Sequence, residues 1–343
     1  MGENSIHRFA PARTAIALVA AALLALTGCT AAEPEPAPTE STVAPVTDTS
    51  TLRTIIESPA EDPQLTLGDA VDPLAGESAV EVFYGSGGIT VAGVVRTPTG
   101  AAADTPVVVV VHGGVDPEEY EPGTDLVAEQ RALLSAGYIV FALDLRGFAD
   151  SDAANAETSA IVDPGFGWDI VLDWGMALDV VNGLRLARDG QIPLADPERV
   201  GLLGHSLGGL LSIDAAVIAP GLSDLVIAMS APTTDLAEAA PLFADDALLD
   251  EVGSPDDNPE YWADISPITF FDRATEPLIL IHGEDDDVTL PAWSEETQHE
   301  WRKAGGSAET YLVEGAGHDY GDRRPEVAGG VVVAFDAALR PAS

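Results

Sequence analysis

Cysteine and lysine are almost missing from this chain of 343 residues, which has one of each, Cys29 and Lys303. With one cysteine, no disulfide can form within the chain and no set of thiolates can hold a metal ion. Acidic residues outnumber basic ones by 57 to 15, for a formal charge of −42. Because proteins bind nucleic acid largely by neutralising its phosphates with lysine and arginine, this charge argues against a nucleic-acid partner.

Apolar runs long enough to span a membrane are also missing. The run at residues 15–26 follows Arg8 and Arg13 and is too short and too rich in alanine for a membrane span. It ends in Leu26-Thr27-Gly28-Cys29, which resembles the lipobox of bacterial lipoproteins. The resemblance implies a signal peptide over residues 1–28, acyl chains such as palmitate on Cys29, and a lipid-anchored protein on the extracytoplasmic face of the cell membrane. An ordinary cleaved secretory signal is the alternative.

Residues 29–62 contain almost no large apolar side chain before Leu52 and are rich in proline, threonine, alanine and glutamate. Such a segment buries too little surface to offset its chain entropy. We therefore expect a disordered tether over residues 29–62, followed by one folded domain over residues 63–343.

The folded domain begins with two strand-like stretches and continues with alternating apolar runs and longer amphipathic segments. Residues 79–84 and 89–95 flank Gly85-Ser86-Gly87-Gly88 and predict an antiparallel hairpin at a sheet edge. Continuous apolar runs indicate strands buried on both faces, as in a parallel sheet covered by helices. The further strands are predicted at residues 107–111, 138–143, 200–203, 225–229, 278–281 and 310–313.

Helices are predicted over residues 125–136, 168–188, 207–219, 292–304 and 327–339. In the second, apolar side chains from Ile170 to Leu184 recur at steps of three and four, as on one helix face. Residues 232–276 interrupt the alternation and are acidic, with five aromatic side chains. We interpret them as a small cap or substrate wall above the carboxyl ends of the strands, where open α/β sheets bind ligands. A plain surface excursion is the alternative.

The motif Gly204-His205-Ser206-Leu207-Gly208 lies between a predicted strand and a predicted helix. A sharp turn of this kind lifts a serine hydroxyl above the sheet, and the glycines leave room for the tight crossing. The following helix directs backbone N–H groups, including that of Leu207, at negative charge that develops nearby. Ser206 is therefore the candidate nucleophile.

A nucleophilic serine needs a neighbouring base, which a third group orients. His318 is the candidate base, because it lies in a glycine-rich loop after the last predicted strand. The other five histidines are less suited to this role. His7 lies in the signal, His205 in the variable place of the serine motif and His299 within a helix. His112 and His282 lie at strand ends, where we expect them to hydrogen-bond loop backbone. The third group is expected in the loop Gly283-Glu284-Asp285-Asp286-Asp287-Val288, which offers several carboxylates. This loop lacks the alternating ligands of a calcium loop, so we predict no metal site.

From about residue 80 to residue 338, the sequence resembles the catalytic domain of the prolyl oligopeptidase-type branch of the α/β-hydrolases. The motifs that carry the resemblance are His112-Gly113-Gly114, Asp144-Leu145-Arg146-Gly147, Gly204-His205-Ser206-Leu207-Gly208-Gly209, Ile265-Ser266-Pro267, His282-Gly283 with Asp286, and Gly317-His318. It implies the α/β-hydrolase fold, with a mostly parallel central sheet, an antiparallel N-terminal hairpin, helices on both faces and a small cap insertion.

The resemblance also implies roles for individual residues. Asp286 holds the place of the acid in the HGxxDxxV pattern of related hydrolases, with Asp287 next and Asp285 third. The order Ser206, Asp286, His318 is that of α/β-hydrolase triads. The turn His112-Gly113-Gly114-Val115 is similar to turns whose N–H groups bind an oxyanion, so the donors would be Leu207 and either Gly114 or Val115.

The implied function is a membrane-anchored serine hydrolase that cleaves carboxylic esters through an acyl-enzyme and needs no cofactor. The family's peptidases carry a β-propeller before this domain, whereas only the tether and the hairpin precede it here, which favours a compact esterase similar to dienelactone-hydrolase-like proteins. The enzymatic alternative is a serine aminopeptidase or oligopeptidase, in which Glu118 and Glu119 could bind the ammonium of a short peptide. The non-enzymatic alternative is a surface lipoprotein that binds a ligand on an inactive hydrolase scaffold.

Overall fold

The computed structural model describes residues 44–153, 159–162, 170–244 and 246–340. A nine-stranded mixed sheet is the centre of the described part of the chain. Its strands in chain order are β1 (Thr66–Ala70), β2 (Ser78–Ser86), β3 (Ile89–Thr97), β4 (Thr105–Val111), β5 (Ile139–Asp144), β8 (Ala195–His205), β9 (Leu225–Met229), β10 (Leu278–Gly283) and β11 (Ala308–Val313). Two further strands, β6 (Ser159–Val162) and β7 (Ile170–Asp173), pair only with each other.

The helices of the described residues surround this sheet. They are α1 (Leu52–Glu57), α2 (Val127–Ser135), α3 (Gly175–Arg188), α4 (Leu207–Ile218), α5 (Leu236–Phe243), α6 (Asp246–Val252), α7 (Pro259–Ile265), α8 (Pro291–Lys303) and α9 (Arg324–Leu339), with 3₁₀ helices over Pro267–Arg273 and Gly321–Arg323.

The spatial order of the strands is β1-β2-β3-β5-β4-β8-β9-β10-β11. The first three pairings are antiparallel and the remaining five are parallel. The predicted hairpin is present as β2 and β3, whose turn uses left-handed backbone at Gly87 and Gly88. This mostly parallel sheet with its antiparallel start confirms the predicted fold class.

The strands in the middle of the sheet are buried on both faces. Every residue of β4 is buried, and its side chains alternate between two apolar clusters. Val109 belongs to the cluster that includes Leu211 of α4, whereas Val110 belongs to the cluster with Leu133 of α2 and Phe335 of α9. Helices therefore cover both faces, which explains why this strand is continuously apolar.

The helix predicted over residues 168–188 is too long. Residues 168 and 169 lie outside the described residues, Ile170–Asp173 form β7, and α3 begins only at Gly175. Two features mark this start. The Asp173 carboxylate accepts a hydrogen bond from the Gly175 N–H, and Gly175 packs so closely on the Arg146 guanidinium that a Cβ there would lie 1.9 Å from it.

The disordered tether predicted over residues 29–62 is wrong for its second half. Residues 52–57 form α1, in which the Thr51 hydroxyl caps the helix by accepting a hydrogen bond from the Thr54 N–H. Leu52 and Ile55 are buried in the same cluster as Val109. These two apolar side chains, three positions apart, face the core on one side of the helix, although the segment as a whole is polar. The tether residues 29–43 lie outside the described residues.

The segment after α1 is also held against the domain. The Glu61 carboxylate accepts hydrogen bonds from the backbone N–H groups of Val46 and Gly87 and from the side-chain amide of Asn182. Arg53 forms an ion pair with Asp264 of α7. The ordered domain therefore begins well before residue 63.

The insertion predicted as a cap over residues 232–276 is helical. Its last part, the 3₁₀ helix Pro267–Arg273, packs against α4 and α8, and Arg273 donates hydrogen bonds to the carbonyls of Val217 and Ile218. These carbonyls lie at the opposite end of α4 from Ser206, roughly 16 Å along the helix at 1.5 Å per residue. Arg273 therefore lies at the end of α4 away from the serine corner, close to where the chain enters β10, and the role of residues 232–276 as a cap stays a prediction.

A helix that could cross a membrane is not found among the described residues, where none is both long and apolar enough.

Candidate active site

Ser206 lies at the corner where β8 ends and α4 begins. Its backbone has φ 53° and ψ −123°, a conformation that is strained for a residue with a side chain. The corner is possible because the residues two positions before and after Ser206 are glycines, which have no Cβ. A Cβ on Gly204 would lie 2.0 Å from the Gly208 carbonyl oxygen, and one on Gly208 would lie 2.3 Å from the Val111 carbonyl oxygen. Both glycines of the motif are thus required by close backbone approach, as the sequence predicted.

His318 faces the Ser206 hydroxyl. It lies in the loop after β11, and its Nε2 is 2.9 Å from Ser206 Oγ. Its Nδ1 is 2.9 Å from Asp286 Oδ2, in the loop after β10. The structure therefore brings the three predicted residues together, in the arrangement of a nucleophile, a base and an orienting carboxylate.

Asp286 differs from its acidic neighbours in burial. Its side chain is buried, whereas Glu284, Asp285 and Asp287 are exposed. Oδ1 of Asp286 accepts hydrogen bonds from the backbone N–H groups of Val288 and Thr289. The loop thus turns one carboxylate of the acidic string inward.

The surroundings of Asp286 favour its charged form. Burial alone would raise the pKa of this carboxyl, but hydrogen bonds from His282, His318 and the Thr289 backbone outweigh it and hold the pKa well below its usual value. Asp286 is therefore ionised at neutral pH and can accept the Nδ1–H of His318.

The backbone of His318 is held by two side chains that the sequence reading set aside or missed. Its carbonyl oxygen is 3.1 Å from His205 Nε2 and 3.1 Å from Ser230 Oγ. Ser230 Oγ is also 2.9 Å from the Tyr320 hydroxyl oxygen, and this tyrosine donates its proton to the Ile281 carbonyl. His205, at the variable place of the serine motif, therefore supports the loop of the base.

The His205 ring is buried beside that of His318, with ring centroids 5.0 Å apart. Burial lowers the pKa of His205, against the opposing effect of the Asp125 carboxylate nearby. A neutral His205 with its proton on Nε2 can donate to the His318 carbonyl.

His112 and His282, predicted to bond loop backbone, both do so. His112 Nδ1 is 2.8 Å from the Gly113 carbonyl, and its Nε2 accepts the Leu145 N–H. Burial lowers the pKa of His112. His282 Nε2 is 2.9 Å from the Thr289 carbonyl but also 3.1 Å from Asp286 Oδ2, a contact that strand-end position alone did not indicate.

The turn after β4 lies against the serine. A Cβ on Gly113 would be 3.2 Å from Ser206 Cβ, and the Gly113 N–H donates to the half-buried Asp125 carboxylate. Burial would raise the pKa of Asp125, but nearby His205 and the Gly113 N–H hold it below its usual value. Asp125 thus fixes the turn that carries Gly114 and Val115.

Leu207 is the first residue of α4. The roles of Leu207, Gly114 and Val115 as oxyanion donors stay predictions.

A cavity of about 400 Å³ adjoins this turn. Its lining is acidic and polar, and consists of Gly114, Val115, Asp116, Glu119, Tyr120, Thr124 and Asp125. Both glutamates predicted to bind an ammonium are exposed, Glu118 and Glu119, and Glu119 lines the cavity.

Within residues 44–340, apart from the gaps named above, no three histidine, cysteine, aspartate or glutamate side chains are grouped to hold a metal ion. Cys29, the predicted lipidation site, lies outside the described residues.

Two protein-family models match overlapping parts of the chain. The model of the prolyl oligopeptidase family matches residues 170–329, which include Ser206, Asp286 and His318. The acetyl xylan esterase model matches residues 75–231, which include the glycine turn and Ser206.

Solved structures with the same fold come from both esterases and peptidases. The acetyl xylan esterase from Paenibacillus sp. R4 is 19% identical, with a TM-score of 0.62 over 87% of this chain and 96% of its own. The esterase Est1E from Butyrivibrio proteoclasticus is 16% identical, with a TM-score of 0.54 over 76% of this chain and 99% of its own. The acylaminoacyl peptidase of Pyrococcus horikoshii is 19% identical, with a TM-score of 0.56 over 82% of this chain. The match spans only 42% of that peptidase.

Proposed function

We propose that this chain, which has the α/β-hydrolase fold and matches models of the prolyl oligopeptidase and acetyl xylan esterase families over part of its length, is a serine hydrolase that cleaves carboxylic esters through an acyl-enzyme formed on Ser206. The observation that carries this proposal is the hydrogen-bonded series Ser206 Oγ, His318 and Asp286, with 2.9 Å at each step.

In the first half of the reaction, Ser206 Oγ attacks the ester carbonyl carbon while His318 Nε2 takes the hydroxyl proton. Asp286 holds the ring with its proton on Nδ1 and stabilises the imidazolium that forms. When the tetrahedral intermediate collapses, the carbon–alkoxide bond breaks and His318 returns the proton to the leaving oxygen. The acyl group remains on Ser206.

In the second half, water replaces the alcohol. His318 Nε2 takes a proton from the water as its oxygen attacks the acyl carbon, and then returns this proton to Ser206 Oγ as the bond to the acyl group breaks. The products are a carboxylic acid and the free serine. In both halves the N–H groups of Leu207 and of Gly114 or Val115 would bind the oxyanion, and losing one such donor costs about 3 kcal/mol of transition-state stabilisation.

A family-model match favours an ester over a peptide substrate. The glycine turn and the serine corner lie together in residues 75–231, which match the acetyl xylan esterase model. Small acyl esters are therefore the substrate class to test first.

The test compares wild-type protein with Ser206→Ala on p-nitrophenyl acetate. We expect turnover to fall by about six orders of magnitude, to the uncatalysed rate within detection, with an unchanged melting temperature or a higher one. A fluorophosphonate should label the wild type and not the variant. Turnover by Ser206→Ala equal to that of the wild type would contradict the proposal.

A peptidase activity is the second candidate, because Glu119, Asp116 and Asp125 line the cavity beside the glycine turn. A carboxylate there could bind the ammonium of a short peptide. Competition between an acetyl ester and a dipeptide amide with a free amino group separates the two candidates by their kcat/KM ratio. A ratio in favour of the amide, lost in Glu119→Gln, would assign the enzyme as an aminopeptidase.

We also propose that acyl chains on Cys29 anchor the enzyme to the extracytoplasmic face of the cell membrane. The support is the tetrapeptide Leu26-Thr27-Gly28-Cys29 after a short apolar run. Cys29→Ser should move the protein from the membrane fraction to the soluble fraction and abolish labelling by a palmitate analogue. Retention of both properties in the variant would contradict the anchor.

A further inference from the structure

We propose that His282 is a positioning residue for the reaction, which shares the Asp286 carboxylate with His318 and thereby sets how strongly this carboxylate acts on the base. The inference rests on the proposed function, because it assigns a second partner to the same carboxylate.

The environment of His282 fixes which ring nitrogen carries the proton. His282 is the fifth residue of β10 and its side chain is completely buried. Nε2 lies 2.9 Å from the Thr289 carbonyl oxygen and 3.1 Å from Asp286 Oδ2, and both of these atoms only accept hydrogen bonds. Nε2 therefore carries the proton, and Nδ1 accepts the Ser294 hydroxyl at 2.7 Å. The single Nε2 proton of a neutral ring is donated to the Thr289 carbonyl, and Asp286 Oδ2 lies 3.1 Å from the same nitrogen.

Asp286 Oδ2 consequently lies between two imidazoles. It is 2.9 Å from His318 Nδ1 on one side and 3.1 Å from His282 Nε2 on the other, with the Thr289 hydroxyl at 3.0 Å. His112 provides the contrast, because it is also a buried histidine directly before a glycine, yet its contacts are the Gly113 carbonyl and the Leu145 N–H.

Sharing a carboxylate weakens its pull on each donor. A hydrogen bond from His282 offsets part of the negative charge that Asp286 presents to His318, so the imidazolium form of His318 is stabilised less. The same contact restrains the position of the carboxylate.

The other titratable groups near His318 are His205, Asp319 and Arg324. The His205 ring is 5.0 Å from the His318 ring, and Asp319 is 4.0 Å from His205 Nε2 and 3.7 Å from Arg324. None of these groups hydrogen-bonds to His282. The Thr289 hydroxyl does lie 3.3 Å from His282 Nε2 and 3.1 Å from His318 Nδ1, so a change at His282 reaches the base through Asp286 and Thr289.

Two amide substitutions distinguish the effect of losing the N–H near Asp286 from the effect of losing the volume of the imidazole ring. His282→Gln can place an N–H near the position of Nε2 and keep the contact with Asp286. His282→Asn is one methylene shorter, places its amide near Nδ1 beside Ser294, and cannot reach Asp286. Val331→Ala, in the buried face of α9, is the control for a general loss of stability.

We expect His282→Asn to lower kcat for p-nitrophenyl acetate about ten-fold, as removal of an outer-sphere partner does, with KM changed less than two-fold. The acid limb of its kcat/KM profile should move to higher pH by about half a unit. His282→Gln should restore the wild-type limb and most of kcat, and Val331→Ala should lower the melting temperature without moving the limb.

Two results would overturn the inference: an acid limb that stays in place in His282→Asn, or one that moves equally in the Asn and Gln variants. A measurement that needs no turnover distinguishes failure of this inference from failure of the proposed function. The low-field NMR resonance of the His318 Nδ1 proton should shift in His282→Asn and keep its wild-type position in His282→Gln, even if no ester is cleaved. Identical spectra for the two variants would count against His282 as a donor to Asp286.

Discussion

Oδ2 of Asp286 lies 2.9 Å from Nδ1 of His318, while Asp285 and Asp287 on either side of this carboxylate point to solvent. The identity of the orienting acid is thus decided by burial within a string of similar residues. Asp286→Asn should lower kcat for an acetyl ester by about four orders of magnitude, because the amide favours the wrong imidazole tautomer. Steady-state kinetics on the purified variant measure this loss.

The neighbouring acids supply the matched controls. Asp285→Asn and Asp287→Asn change the same charge in the same loop, and we expect kcat within two-fold of the wild type. A loss in Asp287→Asn as large as that in Asp286→Asn would mean that the loop rearranges in solution.

Gly204 tests the close crossing at the serine corner. In Gly204→Ala, the new Cβ would lie 2.0 Å from the Gly208 carbonyl oxygen, so the backbone must move. We expect the free energy of unfolding to fall by about 3 kcal/mol or more, with loss of fluorophosphonate labelling. Gly329→Ala is the control. Outside the backbone of α9 itself, no atom lies within 4 Å of the position of its Cβ. Alanine there should raise the free energy of unfolding by up to about 1 kcal/mol. Equal denaturation midpoints for the two variants would contradict the steric argument.

Asp144 makes the stability depend on pH. The Tyr120 hydroxyl and the Gly123 N–H donate to Oδ1 of this buried carboxyl, while Oδ2 has no partner among the described residues. Burial raises the pKa of Asp144 to about 6. Because the folded-state pKa lies above its usual value of 3.8, the contribution of Asp144 to stability is full below pH 4 and is lost as pH rises through 6.

Denaturant unfolding between pH 4 and 8 measures this effect. Between pH 4 and 8, the free energy of unfolding of the wild type should fall by about 2 to 3 kcal/mol relative to that of Asp144→Asn. The neutral amide of the variant does not titrate. Stability curves that run parallel for the two proteins would show that Asp144 does not titrate there.

Leu52 tests the docking of α1. Its side chain is completely buried, so Leu52→Ala should lower the free energy of unfolding by about 2 to 4 kcal/mol. Glu57→Ala, at the exposed end of the same helix, should change it by less than about 0.5 kcal/mol. Thermal or denaturant unfolding compares the two variants, and an unchanged stability in Leu52→Ala would restore the disordered tether.

The sequence was most informative where a strand is buried on both faces. Residues 225–229 were predicted as a strand and form β9 with the same bounds, because every side chain of that strand is buried. β1 was missed because all five of its residues are exposed, so this edge strand has no apolar pattern. Residues 170–173 fitted the apolar stripe of a helix equally well, and only the pairing of β7 with β6 decides their structure.

At the site, the residue types and their chain order were readable, but the contacts between loops were not. Ser206 and His318 follow from the positions of their motifs. Asp286 could be chosen among four acids only through a family pattern, since burial of one loop residue depends on how the loop folds. The contacts of His205 with the His318 carbonyl and of His282 with Asp286 join distant or folded-back parts of the chain, and no local pattern indicates them.

The positive φ of Ser206 means that the nucleophile lowers the stability of the folded protein. Strained backbone of this kind costs about 1 to 3 kcal/mol, and glycine at the same position would relieve it. Selection of random variants for heat resistance alone would therefore drift toward replacing the reactive hydroxyl, and only a simultaneous selection for turnover would retain it.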